Sequence, residues 1–338
     1  MKAWRIVAGT QIAGLKLVEE SPKPLGPHDV RVRPYAASLN FRDMMIVNGW
    51  YPAVTKDPLV PGSDGAGEVV ETGGAVTRFK VGDRVATSFF PDWIEGRPTR
   101  AKLATALGGG GAGVLTQDLV LAETALIRSP AHLDFAQAAT LSCAGVTAWR
   151  ALFVEGQIKP GETVLLLGTG GVSIWALQLA KAAGARVIIT SSSDEKLARA
   201  RSLGADETIN YKTTPDWDNE VIQRTGGAGV DLVLEVGGSQ TIMKSVSSTR
   251  VGGTVIVIGA VTGPGAALEP MSLIGSSVRV QGIYVGSREM HEQLARFVEV
   301  AGIRPVVDSV FAFSELPQAC GHFLGGNHFG KVVVSIDP

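Results

Sequence analysis

The residues with the clearest chemical meaning form a glycine-rich run at positions 168–173, with the sequence Gly-Thr-Gly-Gly-Val-Ser. A strand-like apolar segment precedes this run, and an apolar helical pattern follows it. Gly168 permits a tight turn, Gly170 lets backbone N–H groups approach a pyrophosphate, and the N-terminus of the following helix favours anions. Ser173 stands where a third glycine is expected, and it is small enough for close packing of the helix on the strand.

The run therefore predicts a dinucleotide-binding turn, with a purely structural turn as the alternative. The residues assigned to the cofactor here are Gly168, Thr169, Gly170, Gly171 and Val172.

The segment after the next strand-like run decides which dinucleotide fits. An NAD site usually places a carboxylate about 20 residues after the glycine turn, where it binds the ribose hydroxyls. This sequence has Ser192 at that position, with Lys196 shortly after it. A hydroxyl and an ammonium suit a 2′-phosphate, which a carboxylate would repel, so the sequence predicts NADP(H). Ser192 and Glu195 also match a capping box, and capping the next helix could be the only role of Ser192.

A second glycine-rich run, residues 108–113, leads into a strand-like segment and not into a helix. Without a helix N-terminus it offers little to a phosphate. We expect a flexible loop here.

Length and composition restrict the class of protein. A chain of 338 residues suggests about two domains. The 31 basic and 32 acidic residues give a net charge of −1, which argues against nucleic acid or a membrane surface as the main partner. The two cysteines, Cys143 and Cys320, exclude a disulfide framework and a Cys-rich zinc module. The sequence shows neither a membrane-spanning apolar run nor a signal-peptide pattern, so we expect a cytoplasmic location.

Two different patterns of apolar residues along the chain predict an α/β fold with two domains. Residues 1–130 hold short alternating apolar stretches broken by Gly and Pro, which is typical of a mostly β domain. Residues 131–287 alternate strand-like and helical patterns, which is typical of a parallel, doubly wound sheet with helices on both faces. Residues 288–338 hold one helix and two strands that resemble the first domain. The predicted strands are residues 29–33, 66–70, 84–88, 117–122, 162–167, 186–190, 207–210, 231–236, 254–258, 278–285, 309–312 and 331–336, and the predicted helices are residues 172–183, 195–203, 218–225, 240–246 and 288–301.

Further motifs lie at residues 37–43 (ASLNFRD), 61–70 (PGSDGAGEVV), 81–85 (VGDRV), 144–149 (AGVTAW) and 330–333 (GKVV). Together with the glycine turn they resemble the medium-chain dehydrogenase/reductase superfamily, and within it the zinc-independent quinone oxidoreductase and enoyl reductase branch. The resemblance covers essentially the whole chain. It implies a GroES-like catalytic domain (residues 1–130 and 288–338), a Rossmann domain (residues 131–287) and a cofactor cleft between them.

The resemblance also locates the positions of possible zinc ligands. Zinc-dependent members of the superfamily carry Cys, His and Cys, and the corresponding positions here hold Asn40, Ser63 and Cys143. Because a catalytic zinc site needs at least three protein ligands, we expect no bound metal. Cys143 is then a small buried or pocket-lining residue, with a reactive thiol as the alternative.

The missing metal favours one type of reaction. Oxidation of a simple alcohol needs a group that stabilises an alkoxide, which is the role of zinc in this superfamily. Reduction of a C=C bond conjugated to a carbonyl moves the charge onto the carbonyl oxygen and needs only a hydrogen-bond donor and a late proton. We therefore expect an NADPH-dependent reductase of small molecules such as quinones, enones, alkenals or enoyl thioesters. Two alternatives stay open: a metal-free alcohol dehydrogenase, and a non-enzymatic crystallin-like or RNA-binding relative that keeps the cofactor site.

Site residues can be assigned by the resemblance alone. Asn40 resembles the family residue near the nicotinamide, where its amide can bind the substrate or the cofactor, and stabilisation of a turn is its alternative role. Tyr51 resembles the tyrosine that faces the substrate in enoyl reductases, which makes it a candidate proton donor or a wall of the pocket. Arg42 and Asp43 are expected to be a structural pair. Thr147 resembles the residue beside the nicotinamide ring.

The ends of the later Rossmann strands are expected to supply further cofactor contacts. The residues concerned are Tyr211, Gly237, Gly259, Tyr284 and Arg288. The last Rossmann strand, residues 278–285, pairs across a two-fold axis in the family, which implies a homodimer.

Overall fold

The structure is a computed structural model that describes residues 1–51, 58–263, 265 and 268–337. Its strands, in chain order, are β1 (Lys2–Arg5), β2 (Lys16–Glu19), β3 (Asp29–Ser38), β4 (Asp64–Thr72), β5 (Arg84–Thr87), β6 (Leu119–Ala122), β7 (Leu126–Arg128), β8 (Thr163–Leu166), β9 (Arg186–Ser191), β10 (Glu207–Asn210), β11 (Val230–Glu235), β12 (Thr249–Val257), β13 (Arg279–Gly282), β14 (Val307–Ala312) and β15 (Lys331–Ser335).

The α-helices are α1 (Phe41–Val47), α2 (Arg100–Leu103), α3 (Phe135–Ala139), α4 (Val146–Trp149), α5 (Gly171–Ala182), α6 (Asp194–Ser202), α7 (Trp217–Arg224), α8 (Ile242–Ser248), α9 (Pro270–Ser276), α10 (Arg288–Ala301) and α11 (Leu316–Leu324). Short 3₁₀ turns lie at Ile12–Gly14, Glu123–Ala125 and Phe313–Glu315, and π-helical turns at Leu141–Gly145 and Arg150–Glu155. None of the described helices is long and apolar enough to cross a membrane.

The chain divides into two compact units. Unit 1 consists of Met1–Val146 and Val285–Pro338, and unit 2 of Thr147–Tyr284. Both classes of architecture predicted from the sequence are confirmed: a mostly β unit built from the two ends of the chain and an α/β unit between them.

Unit 1 is organised around one seven-stranded sheet. Its strand order is β14-β15-β3-β4-β5-β7, with β6 also paired to β3. The long strand β3 is antiparallel to both β4 and β15, with Ser38 opposite Asp64 on one side and opposite Val333 on the other. The alternation of apolar and polar residues along β3 places Val30 and Val32 in the core. This double pairing brings the ends of three strands to one place, and the candidate site of this unit lies there.

Unit 2 is a parallel six-stranded sheet with the order β10-β9-β8-β11-β12-β13. The strands β8, β9 and β11 are rich in Val, Leu and Ile, as expected where helices cover both faces of a parallel sheet. The order reverses between β8 and β11. Ligands of doubly wound sheets bind at such a switch point, beyond the carboxyl ends of the strands.

The domain boundaries differ from those predicted. The sequence placed them after residues 130 and 287, whereas the chain divides between Val146 and Thr147 and between Tyr284 and Val285. α3 lies in the segment between the predicted and the observed boundary, and its side chains pack on unit 1. Phe135 stacks on Tyr35 with ring centroids 4.7 Å apart, and the Arg84 guanidinium lies 4.4 Å from the centre of the Phe135 ring.

The glycine-rich run at residues 108–113, expected as a flexible loop, is closely packed against the backbone of residues 60–62. A Cβ atom on Gly113 would lie 2.3 Å from the carbonyl oxygens of Val60 and Pro61, and one on Gly108 would lie 2.4 Å from the oxygen of Gly62. Glycine is needed here because two backbone segments approach more closely than any side chain permits.

Candidate functional site

The glycine turn of unit 2 has the geometry of an anion-binding turn. Gly168 has a φ of +72°, a conformation that other residues rarely adopt. A Cβ atom on Gly168 or Gly170 would meet no atom within 4 Å, so the space over the turn is open. Gly170 precedes the first residue of α5, and the free N–H groups of that helix begin at the turn. Ser173 takes the place of the third glycine and donates to the Leu167 carbonyl (2.7 Å), which fixes the start of the helix to the end of the strand.

Hydrogen bonds join this turn to the end of the neighbouring strand β9. The Gly168 N–H donates to Thr190 Oγ1 (3.3 Å), and the hydroxyls of Thr169 and Ser191 lie 3.4 Å apart. The Tyr211 N–H donates to the Ser191 carbonyl (3.1 Å). The structure thus brings together the glycine turn, the segment that contains Ser192, and Tyr211, which the sequence places among the cofactor contacts.

The cap of α6 is Ser193 and not Ser192. The Ser193 hydroxyl accepts a hydrogen bond from the Lys196 N–H (3.4 Å), and α6 begins at Asp194. The capping role considered for Ser192 is therefore wrong by one residue, and the half-buried Ser192 side chain precedes the cap. The nearest carboxylate in sequence, Asp194, accepts a hydrogen bond from Asn210 Nδ2 (2.8 Å).

A buried carboxylate that was not among the predicted site residues organises the segment after β11. Glu235 is fully buried and accepts hydrogen bonds from the N–H groups of Gly237 (2.6 Å) and Gly238 (2.9 Å). The hydroxyls of Thr241 (2.7 Å) and Ser245 also donate to it. These donors satisfy a carboxylate that would otherwise be costly to bury. The sequence feature that could have revealed Glu235 is an acidic residue at the end of an apolar strand, followed closely by two glycines.

The loops of Gly237 and Gly259 are joined to each other. The Thr262 N–H and hydroxyl both donate to the Gly237 carbonyl, at 2.7 and 2.9 Å. A Cβ atom on Gly259 would lie 2.8 Å from the Val236 carbonyl oxygen, so this position requires glycine. The two predicted cofactor glycines therefore belong to one cross-linked edge of the sheet.

The remaining predicted cofactor residues have different surroundings. Thr147 is buried in α4, between the two π-helical turns, a backbone irregularity that is frequent at functional sites. Tyr284 is half-buried and is the last residue of unit 2. Arg288 begins α10 in unit 1, where its guanidinium donates to the Thr124 carbonyl (3.4 Å) and lies 3.5 Å from the Glu292 carboxylate.

In unit 1, the three positions that correspond to zinc ligands converge in one cluster. Asn40 Nδ2 lies 3.5 Å from Ser63 Oγ, and Ser63 Oγ donates to Asp64 Oδ1 (2.6 Å). The other oxygen of Asp64 accepts from the Cys143 backbone N–H (3.2 Å). Asp64 is fully buried, and it connects the position of the second ligand to that of the third.

Lys331 supplies a positive charge to this cluster. It lies in the motif at residues 330–333 but was not among the predicted site residues. Its side chain is almost completely buried, and its ammonium donates to the Leu39 carbonyl (2.6 Å) and to Asn40 Oδ1 (2.5 Å). Burial raises the pKa of the Asp64 carboxyl, and the nearby Lys331 ammonium opposes that shift. Burial also raises the pKa of the Cys143 thiol far above its usual range, so the sulfur is protonated at neutral pH.

Arg42 and Asp43 form the structural pair that the sequence analysis expected. Their charged groups lie 3.5 Å apart, and both side chains are buried. Arg42 also donates to the Leu107 carbonyl (2.6 Å), and its guanidinium lies 4.4 Å from the centre of the Phe89 ring. The ring of Tyr51 is 6.0 Å from the same guanidinium, so Tyr51 lies at the edge of this group. The residues that follow it, 52–57, lie outside the described part of the chain.

The donor set of this cluster does not suit zinc. The three ligand positions offer an amide, a hydroxyl and one thiol beside a buried ammonium, whereas a catalytic zinc site takes at least three ligands of the thiolate, imidazole or carboxylate type. Among the described residues, no group of three or more His, Cys, Asp or Glu side chains is arranged to hold a metal ion.

Two family models match the chain. Residues 26–131 match the GroES-like domain of alcohol dehydrogenases, and residues 171–300 match the model described as zinc-binding dehydrogenase. A zinc-type alcohol dehydrogenase-like protein of Schizosaccharomyces pombe is 44% identical, over 99% of this chain and all of that protein. A quinone oxidoreductase of Pseudomonas aeruginosa is 34% identical, over 90% of each chain.

Solved structures agree with these relatives. The crystal structure of an NAD-dependent alcohol dehydrogenase superposes with a TM-score of 0.91 at 32% identity and covers both chains completely. A mycobacterial protein solved in complex with NADPH superposes with a TM-score of 0.83 at 25% identity, over 99% of each chain.

The fold, the glycine turn and these relatives define an NAD(P)-dependent oxidoreductase that acts on small molecules. The chain belongs to the medium-chain dehydrogenase/reductase superfamily, which confirms the family and the fold expected from the sequence.

Proposed function

We propose that this protein is a zinc-independent, NADPH-dependent reductase of carbonyl-conjugated acceptors, such as quinones, enones, alkenals or enoyl thioesters. The observation that carries the proposal is the composition of the converged cluster in unit 1. Asn40, Ser63 and Cys143 stand at the ligand positions, and the buried Lys331 ammonium is bound to Asn40. A zinc ion would need thiolate or imidazole ligands and would be repelled by the ammonium.

The residues present limit which reactions the site supports. A bound nicotinamide cofactor supplies the hydride. The protein then has to stabilise the charge that develops on the substrate oxygen and deliver one proton. A simple alkoxide is strongly basic and needs more stabilisation, such as a Lewis acid provides, than an enolate or hydroquinone oxygen, for which hydrogen-bond donors suffice. The Asn40 amide is the candidate donor, and the phenol of Tyr51 is the candidate source of the proton.

The first test is a substrate panel with protein purified without added zinc. We expect NADPH oxidation with at least one quinone, enone, alkenal or enoyl thioester, zinc far below one equivalent per chain, and no effect of a chelator. Stoichiometric zinc together with loss of activity in chelator would overturn the proposal. Oxidation of simple alcohols without reduction of any acceptor would assign the protein as a metal-free alcohol dehydrogenase. Absence of all turnover, with cofactor still bound, would favour a non-enzymatic relative, and RNA binding would then be tested by gel shift.

Tyr51→Phe tests the proton donor. The substitution removes the hydroxyl and keeps the ring that lies near Arg42. If the phenol delivers the proton, turnover should fall by about 10²–10⁴-fold, the usual contribution of general acid catalysis. The dissociation constant of NADPH should not change, because the phenol would act only in the transition state. Unchanged turnover would leave Tyr51 as a wall of the pocket.

The preference for NADPH rests on the segment between β9 and α6. Ser193 caps the helix, so the Ser192 hydroxyl is not needed for that role. Lys196 is the third residue of α6, in the turn whose N–H groups favour anions. The competing interpretation is NAD, with Asp194 as the ribose ligand. Against it stands the hydrogen bond from Asn210, which holds that carboxylate toward the end of β10.

Titration of NADPH and NADH against three variants separates the two cofactors. A charge-assisted hydrogen bond to the 2′-phosphate contributes roughly 1.5–3 kcal/mol, so Lys196→Ala should weaken NADPH about 10- to 150-fold and leave NADH nearly unchanged. Ser192→Asp should reverse the preference, because a carboxylate repels the phosphate and binds the ribose hydroxyls. Ser193→Ala is the matched control, which removes the cap at a cost of about 1 kcal/mol and should not alter the ratio of the two affinities. Equal affinity of the wild type for both nucleotides would exclude a phosphate pocket here.

We also propose that two copies of the chain pair through β13. This strand is at the edge of the parallel sheet, and only β12 pairs with it among the described residues. The Ile283 N–H donates to the Val257 carbonyl, and N–H groups of alternate residues point to the same side of a strand. Gln281 therefore faces β12, while the backbone groups of Val280 and Gly282 face outward. Exposed apolar side chains on α9, Met271 (68%) and Ile274 (69%), add apolar surface to the unit that a second copy would cover.

Val280→Pro tests this pairing, because proline removes an outward N–H and keeps the contact with β12. Light scattering at micromolar concentration should show a dimer for the wild type and a monomer for the variant. Val280→Thr keeps both the N–H and the branched Cβ, and should remain dimeric. A monomeric wild type would contradict the proposal.

A further inference from the structure

The Asn40 side chain stands at a helix cap without capping the helix. Asn40 occupies the N-cap position of α1, where an asparagine oxygen normally accepts a hydrogen bond from an N–H of the first turn. Here the Asp43 N–H donates to the backbone carbonyl of Asn40 (3.0 Å), and the Asp43 carboxylate accepts from the Asn40 N–H (2.8 Å), so neither hydrogen bond uses the Asn40 side chain. The Asn40 amide is therefore bound to other groups.

Lys331 holds that amide. Its ammonium contacts Asn40 Oδ1, and the two residues are 291 positions apart in the sequence. An ammonium group can only donate hydrogen bonds, so the amide atom that faces it must be the oxygen. The NH₂ group then necessarily points the other way, toward Ser63 Oγ at 3.5 Å. The Ser63 hydroxyl donates its own proton to Asp64, which leaves its lone pairs to face the Asn40 NH₂.

The position of Lys331 is set by the main sheet of unit 1. Lys331 is the first residue of β15, and the Leu39 N–H donates to the Val332 carbonyl (2.9 Å) immediately beside it. The ammonium also donates to the Leu39 carbonyl, so it is bound both to the backbone just before Asn40 and to the Asn40 side chain. Burial of a lysine is costly unless its charge is satisfied. A buried lysine is not needed to cap α1, because the Asn40 side chain alone could cap that helix.

We propose that Lys331 is a positioning residue for the reductase. It diverts the Asn40 amide from the helix cap and fixes it with the oxygen bound and the NH₂ group directed into the cluster, as a donor of fixed orientation. The inference rests on the proposed function, in which the Asn40 amide stabilises charge on the substrate oxygen. Lys331 acts through Asn40 and not on the substrate itself.

A double-mutant cycle tests this route of action. Lys331→Met removes the ammonium and keeps most of the apolar stem, and Asn40→Ala removes the amide. If Lys331 acts through Asn40, Lys331→Met should lower kcat at least tenfold in the wild type and by no more than about twofold in the Asn40→Ala background. The dissociation constant of NADPH, measured by fluorescence, should change by no more than about threefold when Lys331→Met is introduced into either background. An equal loss in both backgrounds would overturn the proposal.

Asn40→Asp is the second variant, and it decides the question even where Lys331→Met folds poorly. Aspartate caps a helix about as well as asparagine, and its ion pair with Lys331 offsets the repulsion from the buried carboxyls of Asp43 and Asp64. It has no NH₂ group, so kcat should fall at least tenfold at unchanged melting temperature. Wild-type turnover by Asn40→Asp would show that residue 40 is needed only for structure, and would overturn the proposal.

A crystal structure of Lys331→Met separates this inference from the proposed function. Without the ammonium, the Asn40 oxygen should turn back to accept from the first turn of α1. An amide that keeps its wild-type orientation would overturn the positioning role, whatever the substrate. If the wild type reduces none of the acceptors but oxidises an alcohol, the proposed function fails, and the same cycle measured on that alcohol still tests Lys331.

Discussion

The pairing of β3 with two antiparallel neighbours determines the site in unit 1. Ser38 lies opposite Asp64 on one side and opposite Val333 on the other, so residues 39–40, 63–64 and 331 leave the sheet at the same edge. A shift of register by one residue would turn the side chains of a strand to the opposite face. Lys331 would then point away from Asn40, and the buried Asp64 would lose the nearby positive charge. The hydrophobic core beneath β3, which includes Val30 and Val32, holds that register.

Backbone geometry determines the site in unit 2 in a similar way, but with local interactions. The positive φ of Gly168, the helix that starts at Gly171 and the bond from Ser173 to Leu167 all lie within a few residues of one another. The second contribution comes from Glu235, whose buried carboxylate gathers the donors of the following turn. Both devices use the carboxyl ends of parallel strands near the point where the strand order reverses, and there the helix N-terminus of α5 is available to an anion.

The site in unit 1 depends on long-range strand pairing and the site in unit 2 on local geometry, and this contrast explains how much the sequence could predict. The glycine turn, the parallel sheet and the mostly β unit follow from local patterns, and α10 has the predicted limits, Arg288–Ala301. The cap of α6 was displaced by one residue because Ser191, Ser192 and Ser193 are all capable of capping, and only the end of β9 decides among them. The first boundary lies at Val146/Thr147 and not at residue 130, because the packing of α3 on Tyr35 and Arg84 is a long-range contact that leaves no local pattern. The role of Lys331 could not be found, because a contact across 291 residues leaves no local pattern.

The run at residues 108–113 and the cluster around Lys331 both show that a residue type does not predict its own environment. In the first, glycines that suggest freedom of the backbone are needed because backbone meets backbone at residues 60–62. In the second, a lysine that suggests an exposed surface is buried because two oxygen acceptors and two buried carboxyls, those of Asp43 and Asp64, surround its charge. Desolvation favours the protonated form of both carboxyls, and a fixed ammonium opposes this without any ligand. Such a cluster has its own source of positive charge, so the side chains at positions 40, 63 and 143 do not have to bind a metal to remain close together.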